Sequence, residues 1–272
     1  MKKLLSPRFL SGAAYFALML PVFYFSDTPV LSFAIAAVSV GCVYDALHVT
    51  GSAESKLYMP IALVFAGAYP FLPVYLPGVV PVVVYVYLLM VIVLYILHFD
   101  TMKLANAVHC GAFSVMLPVF IGSAVMSRQL ENGLYYLILT FVGVWVSDTM
   151  AQVSGRLFGK HKLGSAVSPN KTVEGCVGSV VCTAAVFAAA GFVINTRFGP
   201  AVSYTVITAL GVLVSIVAQF GDLLASAVKR AYGVKDYSNL IPGHGGMYDR
   251  FDSFALVAPL IYFVASLSGF IS

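Results

Sequence analysis

The sequence predicts an all-α, polytopic integral membrane protein with about nine transmembrane helices and a cytoplasmic N-terminus. Three observations carry that expectation. Of the 272 residues, 60% are hydrophobic and only 10% are charged, with a mean hydropathy of +0.94; soluble domains carry about 25% charged residues. The apolar residues come in runs close to the ~20 that a helix needs to cross a bilayer. The basic residues, finally, favour one set of alternate loops over the other.

Apolar segments fall at about 9–25, 29–47, 57–76, 79–97, 104–126, 134–147, 175–194, 203–225 and 254–270. Lys2, Lys3 and Arg8 precede the first, as in a secretory signal, but no small-residue cleavage site follows and further spans come at once. A retained first helix is expected. Pro60, Pro70, Pro73 and Pro77 predict a short or kinked third span. Residues 1–100 carry little polar content in their spans and are read as a transmembrane scaffold, and 101–272 as the catalytic region. Cys42, Cys110, Cys176 and Cys182 all lie in apolar stretches without CxxC spacing, so they are read as packing residues.

With the N-terminus inside, Lys2, Lys3, Arg8, Lys56, Lys103, Arg156, Lys160, Lys162, Lys171, Lys229, Arg230, Lys235 and Arg250 are cytoplasmic, and only Arg128 and Arg197 are outside. Thirteen of fifteen basic residues on one side is a strong positive-inside bias. Nine of the eleven acids fall at or near that same side, leaving Asp27 and Glu131 outside. The two long polar segments, about 148–174 and 226–253, are both cytoplasmic, and the chemistry is expected there.

In the eighth span Asp222, Ser226 and Lys229 are spaced i, i+4 and i+7, which puts them on one helix face. An acid at the end of an apolar helix is costly unless it meets a polar cavity, a partner or a metal. Asp249 and Asp252 lie one turn apart at the start of the ninth span, where a helix dipole favours carboxylates. Such oxygens also suit Mg2+, which takes one or two carboxylates together with substrate phosphates. Between the two groups, Gly243, Gly245 and Gly246 flank His244 and permit an anion-cradling turn. Carboxylates, cations and a flexible turn are the parts that phosphoryl or nucleotidyl transfer needs, because its catalysis is mostly positioning and charge neutralisation.

The earlier polar segment supplies a matching set. Asp148 and Thr149 end the sixth span; Arg156, Lys160, His161 and Lys162 follow. Ser168, Lys171, Thr172 and Glu174 then open the seventh, where helix-start N–H groups bind anions and Lys171 adds a point charge. Lys56, Lys103 and Arg8 are read as topology anchors, Asp45 and His48 as a solvated helix end, and His98 and His109 as structural.

The run S-x-x-K-R-x4-K-D…P-x-H-G-G-x-x-D-R-x-D resembles the signature of phosphatidate cytidylyltransferases, also called CDP-diacylglycerol synthases. Ser226, Lys229, Arg230, Lys235, Asp236, Pro242, His244, Gly245, Gly246, Asp249, Arg250 and Asp252 fill its positions without a gap. The blocks around Asp148-Thr149, Gly155 to Lys162 and Ser168 to Gly175 are similar to that family's other cytoplasmic blocks. The likeness is strong over about 145–255 and topological before it. Gln152 departs from the pattern, where a tyrosine is common, as does the Gly164-Ser165-Ala166 stretch, where a proline is common. Both bear on base or ribose contacts rather than on the reaction class.

The resemblance implies transfer of a cytidylyl group from CTP to phosphatidate, with Mg2+ as cofactor and room for a second cation. It also implies a homodimer in the bilayer and no nucleic-acid partner. Asp222, Asp249 and Asp148 are expected to ligate metal, with Asp252 behind them or as a further ligand. Lys229, Arg230 and Lys171 would neutralise phosphates, and Ser226 and His244 would position an oxygen. Ser168, Thr172, Glu174, Gly245, Gly246, Arg250, Lys235 and Arg156 complete the expected substrate-binding set. The short chain without a transit-like leader points to a bacterial inner membrane. Two rivals share some of these features. A related CTP-using transferase or kinase acting on a polyprenol or archaeal lipid would carry the same parts. A transporter would place its acids near mid-membrane and often show repeated halves, neither of which is seen.

Overall fold

The structure, a computed structural model, describes residues 19–52, 58–164, 167–240 and 245–271. Among these it is helical, with only isolated bridges such as Lys162 to Thr172 in place of strands. We number the helices α1 (Pro29–Val49), α2 (Tyr58–Ala68), α3 (Leu72–Tyr75), α4 (Val80–Leu97), α5 (Leu104–Gln129), α6 (Gly133–Phe158), α7 (Val173–Val193), α8 (Tyr204–Ala231) and α9 (Tyr248–Ser268). Eight stretches of the described residues are long and apolar enough to cross a membrane. They coincide with the second to ninth predicted spans. Most of the first predicted span lies outside the described residues, which enter it already helical at 19–24. Lys2, Lys3, Arg8, Glu54, Lys56, Ser165, Ala166, Pro242, Gly243 and His244 also lie outside them.

The third predicted span is broken as its prolines require. Helix α2 gives way to a 3-10 turn at Tyr69–Phe71, then to the four-residue α3, with a second 3-10 turn at Pro77–Val79 leading into α4. Helix α1 begins where Thr28 caps it, its hydroxyl accepting from the N–H of Val30, with Pro29 in the first turn. Helix α7 begins the same way on Thr172, whose hydroxyl accepts from the N–H of Gly175 at 3.2 Å.

The surface accounts for the composition. In α4 only Tyr87 and Val91 are buried, while Val82, Tyr85, Ile96 and Leu97 are each more than half exposed. Val177, Val181 and Phe192 of α7 and Phe220 of α8 are likewise outward-facing. So much apolar surface on each of these helices is stable against lipid and not against water. The chain is an integral membrane protein.

Two compact units can be distinguished, each assembled from separate stretches of chain. The first comprises Met1–Met126 with Ala231–Phe251, and the second Ser127–Arg230 with Asp252–Ser272. Within the second, α6, α7 and α8 are joined inside the apolar layer by three buried serines. Ser179 Oγ lies 3.0 Å from Ser147 Oγ and 2.8 Å from Ser215 Oγ, and it donates to the Ser147 carbonyl at 2.8 Å. Hydroxyls that satisfy one another across helices hold such bundles together.

Three helices run further than their apolar segments. Helix α6 continues through Asp148 to Phe158, α8 through Ser226 to Ala231, and α9 starts at Tyr248. The polar segments are therefore partly helical: Asp148, Asp222, Asp249 and Asp252 lie within helices, whereas Asp236 lies in a loop.

Candidate active site

In the second unit the candidate residues gather where α8 meets α9. Gly221 makes that meeting possible: a Cβ there would lie 2.7 Å from the Asp252 carbonyl oxygen and 2.9 Å from Ser253 Cα. Only hydrogen fits. The close approach brings Asp222, the next residue on α8, beside Asp252 on α9. Asp252 is nearly buried and feels the charges of Asp222, Asp148 and Lys229. Ser253 ties α6 into the group by donating its hydroxyl to Asp148 Oδ1 at 3.3 Å. Three carboxylates from three helices thus face a common region.

Two cations answer them. Lys171 Nζ is 2.7 Å from Asp222 Oδ2, and it also donates to the carbonyl of Gln219 at 3.5 Å. Lys229, one of the few buried charged side chains, is an electrostatic neighbour of Asp252. Ser226 Oγ donates to Asp222 Oδ1 at 3.5 Å, so Asp222, Ser226 and Lys229 share a face of α8 as their spacing predicts. Asp222 pairs with Lys171, 51 positions away in sequence. Arg230 and Arg156 are exposed on their helix ends, and Ser168 is half-buried in the loop before α7.

Glu174 is engaged within that loop. Its Oε1 lies 2.6 Å from His161 Nδ1, and both oxygens accept from the His161 backbone N–H at 3.2 Å. Together with the Lys162–Thr172 bridge this closes the segment between α6 and α7 back onto the start of α7. Along α7 and α8 an apolar groove of about 450 Å3 runs from Lys171 past Cys176, Val180, Ile216, Phe220 and Leu223. A cation stands at the rim of a lipid-facing cleft.

In the first unit Asp249 organises the turn at 245–248, where the signature segment enters α9. Its Oδ2 accepts from the backbone N–H groups of Tyr237 and Gly246, each at 2.9 Å. Gly245 adopts φ +81°, a conformation open to glycine and strained for a residue with a Cβ. The rings of Tyr237 and Tyr248, both buried, pack with centroids 4.7 Å apart and lock the base of the turn. Lys235, Asp236 and Arg250 are exposed. His244 is outside the described residues.

One expectation is overturned. Asp45 is not a solvated helix end: it is completely buried, and its Oδ2 accepts from the backbone N–H of Tyr248 at 3.0 Å. His48, stacked on Tyr44, is the exposed member of that pair. The signal was present, since an acid inside an otherwise apolar helix is expensive. Proximity to the helix end argued against it. The Ser147, Ser179 and Ser215 cluster had no comparable signal, because a lone serine in a span is unremarkable.

The donor set suits a hard cation. All its ligating groups are carboxylate oxygens, the chemistry Mg2+ prefers. Among the described residues no three His, Cys, Asp or Glu side chains are grouped closely enough to enclose a metal by themselves. That fits a metal that takes one or two carboxylates and completes its octahedron with phosphate and water.

Comparison with known proteins bears on the family of the chain. The sequence profile of the cytidylyltransferase family matches residues 6–268. Phosphatidate cytidylyltransferases of Staphylococcus saprophyticus, Staphylococcus haemolyticus and Staphylococcus aureus (strain COL) are 40%, 39% and 38% identical to the chain over 153 residues. That stretch is 56% of this chain and 57% of each of these relatives, so the chain spans little more than half the length of the curated relatives it matches. With the profile covering nearly all of its residues, the chain belongs to the cytidylyltransferase family.

Proposed function

We propose that this chain converts phosphatidate and CTP to CDP-diacylglycerol and pyrophosphate. The observation that carries the reading is the meeting of Asp148, Asp222 and Asp252 with Lys171 and Lys229 at the α8–α9 approach. Alternating acids and cations at the end of an apolar bundle suit a reaction between a soluble triphosphate and a phosphate fixed at the headgroup plane. The groove beginning at Lys171 supports the lipid half: an acyl chain lying there would bring its phosphate to the cation.

In this reading an oxygen of the lipid phosphate attacks the α-phosphorus of CTP in line. The new P–O bond forms as the bond to the α,β-bridging oxygen breaks, and pyrophosphate leaves with that electron pair. No protein nucleophile is required, since a phosphate monoester is already an anion near pH 7. The residues of this chain align the two phosphates and offset their repulsion, which is the larger part of catalysis in such reactions. Lys171 has the flexible stem to exchange Asp222 for a phosphate oxygen. Lys229, fixed by burial, holds its charge in place, and Ser226 orients an oxygen beside Asp222. One or two of the carboxylates Asp148, Asp222, Asp249 and Asp252 would hold Mg2+ together with substrate phosphates, and the ion would supply charge neutralisation there. A cytoplasmic site in a bacterial inner membrane and a homodimer belong to the same proposal, testable by thiol-reagent access from each side and by mass measurement in detergent.

The test is to supply the purified protein with α-phosphate-labelled CTP and either phosphatidate or a polyprenol acceptor. Label in CDP-diacylglycerol supports the proposal. Label only in the polyprenol product would transfer the same site to the rival acceptor class.

A further inference from the structure

Asp45 lies in the last turn of α1, with its side chain wholly buried. A carboxylate removed from solvent persists only where specific donors compensate it. Its donors come from the signature segment. The Tyr248 N–H donates to Asp45 Oδ2 at 3.0 Å across 203 positions of sequence, and the Ser238 hydroxyl and the Met247 N–H also face the carboxylate. Gly246 lies so near that a Cβ there would overlap Asp45 Oδ2. One turn earlier on α1, a Cβ at Gly41 would be 2.9 Å from Met247 Cγ. Helix α1 is therefore the seat on which residues 246–248 rest.

The same turn is held from the start of α9. Asp249 Oδ2 accepts from the N–H groups of Gly246 and Tyr237. Two carboxylates, one from α1 and one from α9, thus hold one short backbone stretch. Asp45 Oδ1 makes no hydrogen bond among the described residues although it is buried. An apolar side chain in this place would leave the Tyr248 N–H without its acceptor, so the site calls for an oxygen and not for volume alone. What a carboxylate adds is direction. It fixes the N–H vectors at 246–248 and with them the phase at which α9 begins.

We infer that Asp45 is a positioning residue for cytidylyl transfer. It sets the signature turn and the start of α9, and through them Asp249, without touching substrate. This rests on the function proposed above. The role differs from that of a generic packing group in that it depends on an oxygen acceptor at one point, not on volume.

The experiment uses the full chain in detergent. The kcat and the KM values for CTP and phosphatidate are measured for wild type, Asp45→Ala and Asp45→Asn, along with hydrogen exchange over 236–250. Misplacement of reacting groups by an ångström costs about 100-fold, so Asp45→Ala is expected to lose roughly that in kcat, with KM for phosphatidate little changed. Exchange at 236–250 should quicken. Asp45→Asn keeps an oxygen that can accept from Tyr248 and should recover to within about tenfold of wild type. If the Ala variant does not fold, Asp45→Ser, polar but too short to reach Tyr248, is expected to show the same loss. A truncated variant with wild-type kcat, an Asn variant no better than Ala, or a loss wholly matched by less folded protein would each overturn the inference. Wild-type protein that fails to label phosphatidate would strike the proposed activity instead. The exchange comparison would then still decide Asp45, with unchanged exchange in the truncated variant refuting its role.

Discussion

Replacing Gly221 with alanine adds one methyl group at the point where α8 meets α9. The new Cβ would lie 2.7 Å from the Asp252 carbonyl oxygen and 2.9 Å from Ser253 Cα, and neither backbone atom can rotate away. Moving the closer pair from 2.7 Å to the 3.4 Å at which ordinary contact begins opens the approach by about 0.7 Å. Overpacking of this kind costs ~1–3 kcal/mol. Alanine is the better helix former by ~1 kcal/mol, so the net loss should not exceed about 2 kcal/mol, and the protein should still fold. The consequence falls on geometry, because Asp222 moves away from Asp252 and Asp148. With a full ångström worth about 100-fold, the expected fall in kcat is on the order of tenfold or more. The assay is turnover of CTP with phosphatidate, beside a thermal unfolding curve in the same detergent. A Gly221→Ala enzyme that folds and turns over within roughly twofold of wild type would refute the claim that the carboxylate group at this approach carries the chemistry.

Other perturbations separate the parts of the site. Asp249→Asn keeps an oxygen for the Tyr237 and Gly246 N–H groups, so the chain should stay folded and inserted while CTP-dependent turnover is abolished; near-normal turnover would remove Asp249 from the metal ligands. Lys171→Ala breaks the pair with Asp222, whose partners are 20% and 38% exposed, so stability should change by less than about 1 kcal/mol. Its kcat/KM should nevertheless fall by at least roughly tenfold, the loss of one phosphate contact, and a large drop in unfolding temperature with normal turnover would reverse that assignment. Chelation of divalent cations should stop turnover and readdition of Mg2+ restore it; turnover that persists in chelator would exclude the carboxylates as a metal site.

Much of this was legible in the chain. Hydropathy located the described spans, and four prolines foretold the break between α2 and α4. The i, i+4, i+7 spacing put Asp222, Ser226 and Lys229 on one face. The parts that escaped share a physical cause. Hydropathy stops where side chains turn polar, but helical hydrogen bonding does not, so α6 and α8 run past their apolar ends and α9 begins before its own. Pairings between segments distant in sequence leave no trace in local spacing, and the Lys171–Asp222 ion pair is one of them. Asp45 was misread for a related reason: its distance from the helix end suggested water, and only the packing of residues 246–248 against α1 buries it.

The central claim is that the acids and cations of α6, α8 and α9 join CTP to a lipid phosphate. Its most direct measurement follows α-phosphate-labelled CTP and pyrophosphate together, in vesicles containing phosphatidate and the purified chain with Mg2+. One labelled CDP-diacylglycerol for each pyrophosphate released, and neither when phosphatidate is omitted, is the predicted result. Pyrophosphate without labelled lipid, or label passing to a polyprenol and not to phosphatidate, would contradict the account.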